Sequence, residues 1–471
     1  MKFLASALTL LAAAVSAVQA VSVSGPRLLA VLDDLADKDT YSTFLSDLEG
    51  RGFSLAYETA KSSSVSLFRL GERAYDHVIF FPTKAKGLGP NLTPQLLVQF
   101  LNSEGNILVA LSSTNAASSS IVSLLSELDI TLPADRTGLV VDHFNYDTSA
   151  AADLHDVLLL PVPAARAGVK SLFDSAASTS GDELLAFPRS VGHVLGGSPL
   201  LAPIVSAPRT AYSYNPKEQA DAVSDSDLFA AGAQLKLVSG LQARNSARFA
   251  LLGSAELLSN TWFDAKVKLP ADGAKAVPTY NREFARRLTG WTFQETGVVR
   301  VNWIEHHLNE QGATNESNPE IYRVKNDVTY TISLSEHSWD KWTPFVVPAD
   351  DELQLEFSML SPFHRLPLHA VPAQSTEDTA VYSASFTLPD QHGIFNFLVD
   401  YKRPFLTFLD EKITVSVRHM AHDEWPRSYV ISGSWPWITG IGATVTGWLA
   451  FCALWMYSKP TGQVAAGKKT Q

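Results

Sequence analysis

Cysteine is almost absent from this chain of 471 residues: it has a single one, Cys452. One cysteine cannot form a disulfide within the chain, so the folded parts must be stabilised by large apolar cores. The same shortage excludes zinc sites built from several cysteines and, outside position 452, any cysteine nucleophile.

Recognisable catalytic motifs are missing as well. The chain has no Gly-x-Ser-x-Gly elbow, no phosphate-binding loop and no His-Glu-x-x-His pair. Asp33 and Asp34 end the first predicted strand, where α/β sheets place ligand sites, but acids at such positions are commonly helix caps. His306 and the other scattered histidines lack the spacing of metal ligands. The sequence therefore predicts no catalytic residue, no cofactor site and no metal site.

Positive charge is also scarce. The chain carries 37 Lys and Arg against 48 Asp and Glu, a net charge of −11, which gives no basic field for nucleic acid. With 46% hydrophobic and 18% charged residues, the composition is that of packed globular domains. The length leaves room for two or three of them.

One stretch, from Ser428 to Ser458, has no charged side chain at all. About twenty apolar residues cross the roughly 30 Å hydrocarbon core of a bilayer, and aromatic residues stand at both ends of this run. The spacing predicts a transmembrane helix over residues 435–457. The tail, residues 458–471, contains lysines and no acid, which favours the cytosolic side of the membrane.

The N-terminus has the pattern of a signal peptide over residues 1–20. Lys2 supplies a basic start, an apolar stretch follows, and small residues precede a cleavage point after Ala20. Together with the C-terminal helix, this predicts type I topology, in which most of the chain lies in the lumen.

The predicted lumenal part divides into two regions that differ in the spacing of their apolar residues. Residues 21–294 alternate between apolar strands such as Arg27–Leu32 and amphipathic helices such as Thr40–Gly50, which predicts a parallel sheet with helices on both faces. The pattern loosens between residues 148 and 227, and no strand order is predicted there. In residues 295–427 the apolar residues recur at every second position, which predicts an all-β sandwich.

Two glycosylation sequons occur, at Asn91 and at Asn315. Pro94 directly follows the first sequon and disfavours its use. The second lies in a polar loop and is the better candidate.

The predicted transmembrane helix has closely spaced small residues in its first half, namely Gly440, Ala443, Thr444 and Gly447. Small residues let two helix backbones approach closely, and hydroxyl groups can bond across such a contact. The pattern favours packing against a partner helix.

Several long motifs carry a family resemblance. They are Leu237–Arg248, Trp291–Val301, Leu355–Pro362, Pro389–Phe395 and His422–Arg427. With them the chain resembles, from end to end, the 48-kDa subunit of the endoplasmic-reticulum oligosaccharyltransferase, of the fungal type. Lys468 and Lys469, near the C-terminus, look like the dilysine signal that returns membrane proteins to the endoplasmic reticulum.

The resemblance implies a structural, non-catalytic subunit near the translocon. Its complex transfers a preassembled glycan from dolichyl diphosphate to Asn in Asn-x-Ser/Thr of nascent chains. In that family a separate polytopic subunit performs catalysis, and the 48-kDa subunit packs on ribophorin II-type and defender-against-death-type subunits. The resemblance also implies an N-terminal domain similar to glutamine-amidotransferase-like folds.

Two other classes of function stay open on the sequence. One is an anchored lumenal protein that binds glycans or cargo, which the β-rich part could support. The other is a lumenal hydrolase. Asp33 and Asp34, at the end of the first predicted strand, are the only acids whose position suggests a catalytic site.

Overall fold

A computed structural model describes residues 22–163, 172–173, 183–215, 228–270, 275–309, 317–425 and 432–459. The predicted signal peptide, Asn315, Lys468 and Lys469 lie outside these residues. The chain forms two compact units, one up to Val417 and a second from Arg418 onward.

The first part of the larger unit is a mixed α/β structure. Its helices are α1 (Ser42–Gly50), α2 (Pro94–Asn102), α3 (Ser119–Glu127), α4 (Asn260–Phe263) and α5 (Asn281–Thr292). Its strands are β1 (Arg27–Leu32), β2 (Ser54–Thr59), β3 (Phe68–Arg69), β4 (Glu72–Arg73), β5 (His77–Phe80), β6 (Asn106–Ala110), β7 (Ile130–Thr131), β8 (Leu139–Val141), β9 (Val157–Pro161), β10 (Leu184–Pro188), β11 (Val194–Leu195), β12 (Leu201–Ser206), β13 (Tyr212–Tyr214), β14 (Lys236–Gln242), β15 (Arg248–Leu252), β16 (Lys266–Val267) and β17 (Val277–Pro278).

The main sheet has seven strands in the order β12-β14-β15-β6-β5-β1-β2. The strands from β15 to β2 are parallel, but β12 and β14 run antiparallel to their neighbours. The expectation of a purely parallel sheet is therefore wrong at this edge. Only residues 243–247 connect β14 to β15, and so short a link makes a hairpin because a parallel crossover needs a dozen residues or more.

Both faces of the sheet are covered by helices, as the alternation predicted. In β1, Leu28 and Ala30 pack with α1 and α5, while Leu29 and Val31 pack with α2 and α3 on the other face. Each large apolar side chain that is fully buried contributes about 1.5–3 kcal/mol. Cores of this extent explain how the fold is stable without a disulfide.

Between residues 148 and 215 only β12 joins the main sheet, as its edge strand, and the other described strands form small antiparallel pairs beside it. These pairs are β9 with β10, β7 with β11, and β8 with β13. Two-stranded elements leave only short apolar runs, which is why the sequence pattern was too weak to order this region.

The second part of the larger unit is β-rich. Its strands are β18 (Thr296–Leu308), β19 (Ile321–Arg323), β20 (Asp327–Ser338), β21 (Lys341–Pro344), β22 (Gln354–Ser358), β23 (Pro362–Pro367), β24 (His369–Ala370), β25 (Ala380–Thr387), β26 (Gly393–Tyr401) and β27 (Leu409–Arg418).

These strands form two five-stranded sheets, β18-β20-β25-β24 with β21 beside β20, and β19-β27-β26-β22-β23. Aromatic side chains join the two sheets. The ring of Tyr330 in β20 stacks on Phe397 in β26 at 5.4 Å, and Phe386 in β25 meets Phe357 in β22 at 5.5 Å between centroids. The β-rich part is thus a sandwich, with its core between the sheets.

The second compact unit contains α6 (Trp435–Tyr457), a helix of 23 residues whose side chains are largely exposed. Its length and composition are sufficient for it to cross a membrane, which is true of no other helix in the described residues. At 1.5 Å per residue it is about 35 Å long, enough for a bilayer core.

Candidate functional site

The two acids at the end of β1 stabilise local turns. Asp34 begins the 3-10 turn Leu35–Asp39: its carboxylate accepts a hydrogen bond from Ala36 N, while the Asp37 carboxylate accepts from Asp34 N. Asp33 accepts a hydrogen bond from Lys84 N at 3.0 Å. Asp34 and Asp37 therefore cap the turn reciprocally, and Asp33 stabilises the neighbouring loop. This agrees with the helix-cap role that acids commonly have at such positions.

The histidine at position 306 belongs to the core of the sandwich. Its ring stacks on Phe397, with centroids 5.0 Å apart, and its Nδ1 is hydrogen-bonded to the Tyr322 hydroxyl at 2.6 Å. Burial lowers the pKa of His306 to about 4, so it is neutral at physiological pH. Across the described ranges, no group of three or more His, Cys, Asp or Glu side chains could hold a metal ion.

A buried arginine joins the α/β part to the sandwich. Arg248, the first residue of β15, is fully buried, and its Nη1 donates to the carbonyls of Trp291 at 2.6 Å and Thr296 at 2.7 Å. Its Nη2 donates to the Gly297 carbonyl at 2.7 Å. The Trp291 carbonyl belongs to the last turn of α5, where the helix dipole is negative and attracts a cation.

Arg248 remains charged although it is buried. Desolvation lowers its pKa to about 9, which is still above neutral pH. Three carbonyl oxygens accept hydrogen bonds from its two Nη atoms, whereas its Nε is buried without a partner in the described residues.

Further hydrogen bonds fix the loop between β26 and β27 on the α/β part. Gln242 Nε2 donates to the Leu406 carbonyl at 2.5 Å, and Trp291 Nε1 donates to the Phe405 carbonyl at 3.1 Å. Gly297 has a φ of +67°, and a Cβ there would lie 2.6 Å from the Phe405 carbonyl oxygen. Glycine is required at this position both for its backbone angle and for the close approach.

Glu295 lies in the short link between α5 and β18. Its carboxylate is fully buried and accepts a hydrogen bond from Arg51 Nη1 at 2.5 Å. Burial raises the pKa of Glu295 to about 7 in spite of the Arg51 charge, and burial also lowers the pKa of Arg51. Desolvation therefore outweighs the attraction within this ion pair.

A groove opens beside the junction. It is lined by Trp291 and by residues of three stretches, Pro199 to Ala202, Gln242 to Arg244, and Lys402 to Asp410, and it has a volume of about 600 Å³. We call it the junction groove. Its size lies within the roughly 300–1,000 Å³ of typical ligand sites.

The junction groove could not be inferred from a local motif, because its residues are up to about two hundred positions apart in the chain. Three of them lie in the motifs named above, Gln242 and Arg244 in Leu237–Arg248 and Trp291 in Trp291–Val301, but neither motif indicates a groove. The groove combines exposed basic side chains with half-buried apolar ones such as Leu200 and Phe408. Such a surface can bind a group that is both acidic and apolar.

The sequon at Asn91 is part of the folded structure. The Asn91 Nδ2 donates to the Ser63 carbonyl at 3.1 Å and to the Val65 carbonyl at 2.7 Å. Leu92 is fully buried, and the Thr93 hydroxyl caps α2 by accepting from Leu96 N. All three sequon residues therefore have structural partners.

The small residues of α6 share one side of the helix. Gly440, Ala443, Thr444 and Gly447 are spaced as i, i+3, i+4 and i+7, which places them on one face. The Thr444 hydroxyl donates to the Gly440 carbonyl at 2.9 Å, so in this chain it bonds within its own helix. A Cβ added at Gly440 or Gly447 would meet no other atom of the described residues.

Within the described residues, an α/β part packs on a β-sandwich and is followed along the chain by one helix long and apolar enough to cross a membrane, which indicates a single-pass membrane protein. The family described as OST48, N-terminal domain, matches residues 19–295, and the OST48 middle domain matches residues 306–459. The chain belongs to the OST48 family.

Named relatives match along nearly their whole length. The dolichyl-diphosphooligosaccharide–protein glycosyltransferase subunit wbp1 of Schizosaccharomyces pombe is 32% identical, over 96% of both chains. The 48 kDa subunit of the same transferase from Caenorhabditis elegans is 33% identical, over 92% of both chains.

Similarity to solved structures is weak. A ThuA-like protein from Parabacteroides merdae has 10% identity and a TM-score of 0.25, covering 48% of this chain and 77% of that one. A score this low carries no argument about the fold or the function.

The buried carboxylate of Glu295 predicts a pH dependence of stability. The folded protein keeps a proton on Glu295 up to a pH of about 7, whereas the unfolded chain releases it near its ordinary pKa of 4.5. The contribution of Glu295 to the free energy of unfolding is therefore greatest below pH 4.5 and is lost as the pH rises through 7. Between pH 5 and 8 the loss is roughly 2–3 kcal/mol.

Urea unfolding of the purified protein in detergent, at pH 5 and pH 8, measures this slope. Glu295→Gln should remove this component of the slope. The control Glu356→Gln, which removes a surface ion pair with Arg365, should keep the wild-type slope. Equal slopes for wild type and Glu295→Gln would contradict the assignment.

Proposed function

We propose that this chain is a structural, non-catalytic subunit of the oligosaccharyltransferase complex. That complex transfers a preassembled glycan from dolichyl diphosphate to Asn in Asn-x-Ser/Thr of nascent polypeptides. The proposal is carried by the likeness to named subunits of this transferase, which spans almost all of each chain. The alternatives of a lumenal binding protein or a hydrolase have no such support.

In this proposal the chain resides in the endoplasmic-reticulum membrane, near the translocon. The signal peptide, residues 1–20, is removed, and the domains at residues 21–294 and 295–427 face the lumen. The helix at residues 435–457 crosses the membrane, and residues 458–471 lie in the cytosol with Lys468 and Lys469 as the retrieval signal. The charge pattern around the helix supports this orientation.

We further propose that the α/β part has a glutamine-amidotransferase-like fold. Its support is the run of five parallel strands with helices on both faces. Here the fold would serve as a scaffold, because the chain has no cysteine outside position 452 to act as that fold's usual nucleophile.

The partners we propose are the ribophorin II-type and defender-against-death-type subunits and the polytopic catalytic subunit. The face of α6 made by Gly440, Ala443, Thr444 and Gly447 is the proposed contact for a partner helix. Its one hydroxyl is already bonded within the helix. The contact then rests on close backbone packing rather than on hydrogen bonds between helices.

Affinity purification tests both the subunit role and the helix contact. A tagged protein extracted in mild detergent should co-purify with a polytopic transferase and should glycosylate an Asn-x-Thr peptide. Gly447→Leu should reduce the co-purifying subunits roughly fivefold or more, the effect of about 1 kcal/mol of lost helix contact.

Gly442→Leu is the matched control. It makes the same change on the opposite side of α6, since successive residues are turned by about 100°. It should leave assembly intact. Recovery of the protein alone, without transfer activity, would contradict the proposed function, and equal effects of both substitutions would contradict the assigned face.

We also propose that the chain carries its glycan on Asn315 and none on Asn91. A sugar on the Asn91 Nδ2 would replace one of two amide hydrogens that bond to the carbonyls of Ser63 and Val65. Asn315→Gln should abolish the mobility shift that endoglycosidase produces in wild type, whereas Asn91→Gln should leave the shift unchanged. A glycopeptide containing Asn91, found by mass spectrometry, would refute this assignment.

A further inference from the structure

We propose that the junction groove binds a segment of another subunit that presents a carboxylate beside an apolar side chain. This inference rests on the proposed function, because it places the segment within the same complex. The contact would belong to the larger unit and is a different contact from the one proposed for α6.

An arginine without an acidic partner indicates that the bound segment carries a carboxylate. Three basic side chains line the groove, and two of them already have acidic partners. Lys402 Nζ lies 3.0 Å from Asp400, and Arg403 Nη2 lies 2.5 Å from Asp351. Arg244 is exposed and has no acidic partner among the residues described. A guanidinium in this position can bind a carboxylate through two parallel hydrogen bonds.

Apolar side chains in the walls of the junction groove indicate that the bound segment also carries an apolar side chain. Leu200 and Phe408 are half-buried, and Pro199 and Pro404 are exposed beside them. The loop that carries Phe408 is held by the hydrogen bonds that Gln242 and Trp291 make to it. A wall fixed in advance loses little entropy when it is covered, which favours binding.

An unsatisfied oxygen favours a peptide over a lipid. Gln242 donates through Nε2 to a carbonyl, which can only accept, so its orientation is fixed. Its Oε1 is buried and has no hydrogen-bond partner within the described residues. A backbone N–H, or a water held by it, can satisfy this oxygen, whereas an acyl chain has no donor. The volume of the groove suits a few side chains rather than a whole domain.

Photo-crosslinking in the intact complex tests this inference. Phe408 is replaced by p-benzoylphenylalanine in the tagged full chain, and Phe144, which is exposed outside the groove, is replaced in the control. Position 408 should crosslink to a co-purifying subunit, at a peptide in which Asp or Glu adjoins an apolar residue. Position 144 should not give that product.

Charge reversal makes the test specific. Arg244→Glu should lower the crosslink from position 408 about tenfold, and a Lys in place of the mapped acid should restore it. Arg69→Glu, which alters an exposed arginine outside the groove, should change nothing.

Three outcomes would overturn the inference. They are a crosslink to lipid, no crosslink in a complex that assembles and transfers glycan, and a crosslink unaffected by Arg244→Glu. Because subunits and transfer activity are scored in the same sample, a failure of the proposed function itself would appear separately, as the absence of both.

Discussion

The buried guanidinium of Arg248 is the interaction on which the body of this protein depends. It bonds to carbonyls at the end of α5 and at the start of β18, so one side chain connects the main sheet, the last helix of the α/β part and the first strand of the sandwich. Burying a charge is costly unless its hydrogen bonds are made, and those carbonyls would in turn lose their donor without it. The contacts of Gln242 and Trp291 with the loop at Phe405 reinforce the same boundary.

A body held together in this way suits a structural subunit. With a single cysteine in the chain, no disulfide can fix one part against the other, and the task falls to packing and to buried hydrogen bonds. Because the α/β part and the sandwich form one compact unit, the junction groove between them has defined walls. Rigid surfaces of this kind can position partner subunits without any chemistry of their own.

The sequence predicted the features that depend on local periodicity. The strand Arg27–Leu32, the helices on both faces of the sheet, the two-sheet sandwich and a helix over residues 435–457 are all present. Features set by contacts between distant residues were missed. The hairpin of β14 and β15 has the same apolar pattern as a parallel pair, and Gln242 meets Leu406 across 164 positions. The motifs at Leu237–Arg248 and Trp291–Val301 both contribute residues to the junction, but nothing in either indicates that they meet.

The most direct test of this account is differential scanning calorimetry of the purified full chain in detergent, for wild type and for Arg248→Leu. If Arg248 joins the α/β part and the sandwich, the body of the wild type unfolds in one transition. In Arg248→Leu that transition should separate into two, because each part then unfolds on its own. The control Arg365→Leu, at an exposed arginine of the sandwich, should keep one transition. Two separate transitions in the wild type, or an unchanged single transition in Arg248→Leu, would contradict the account.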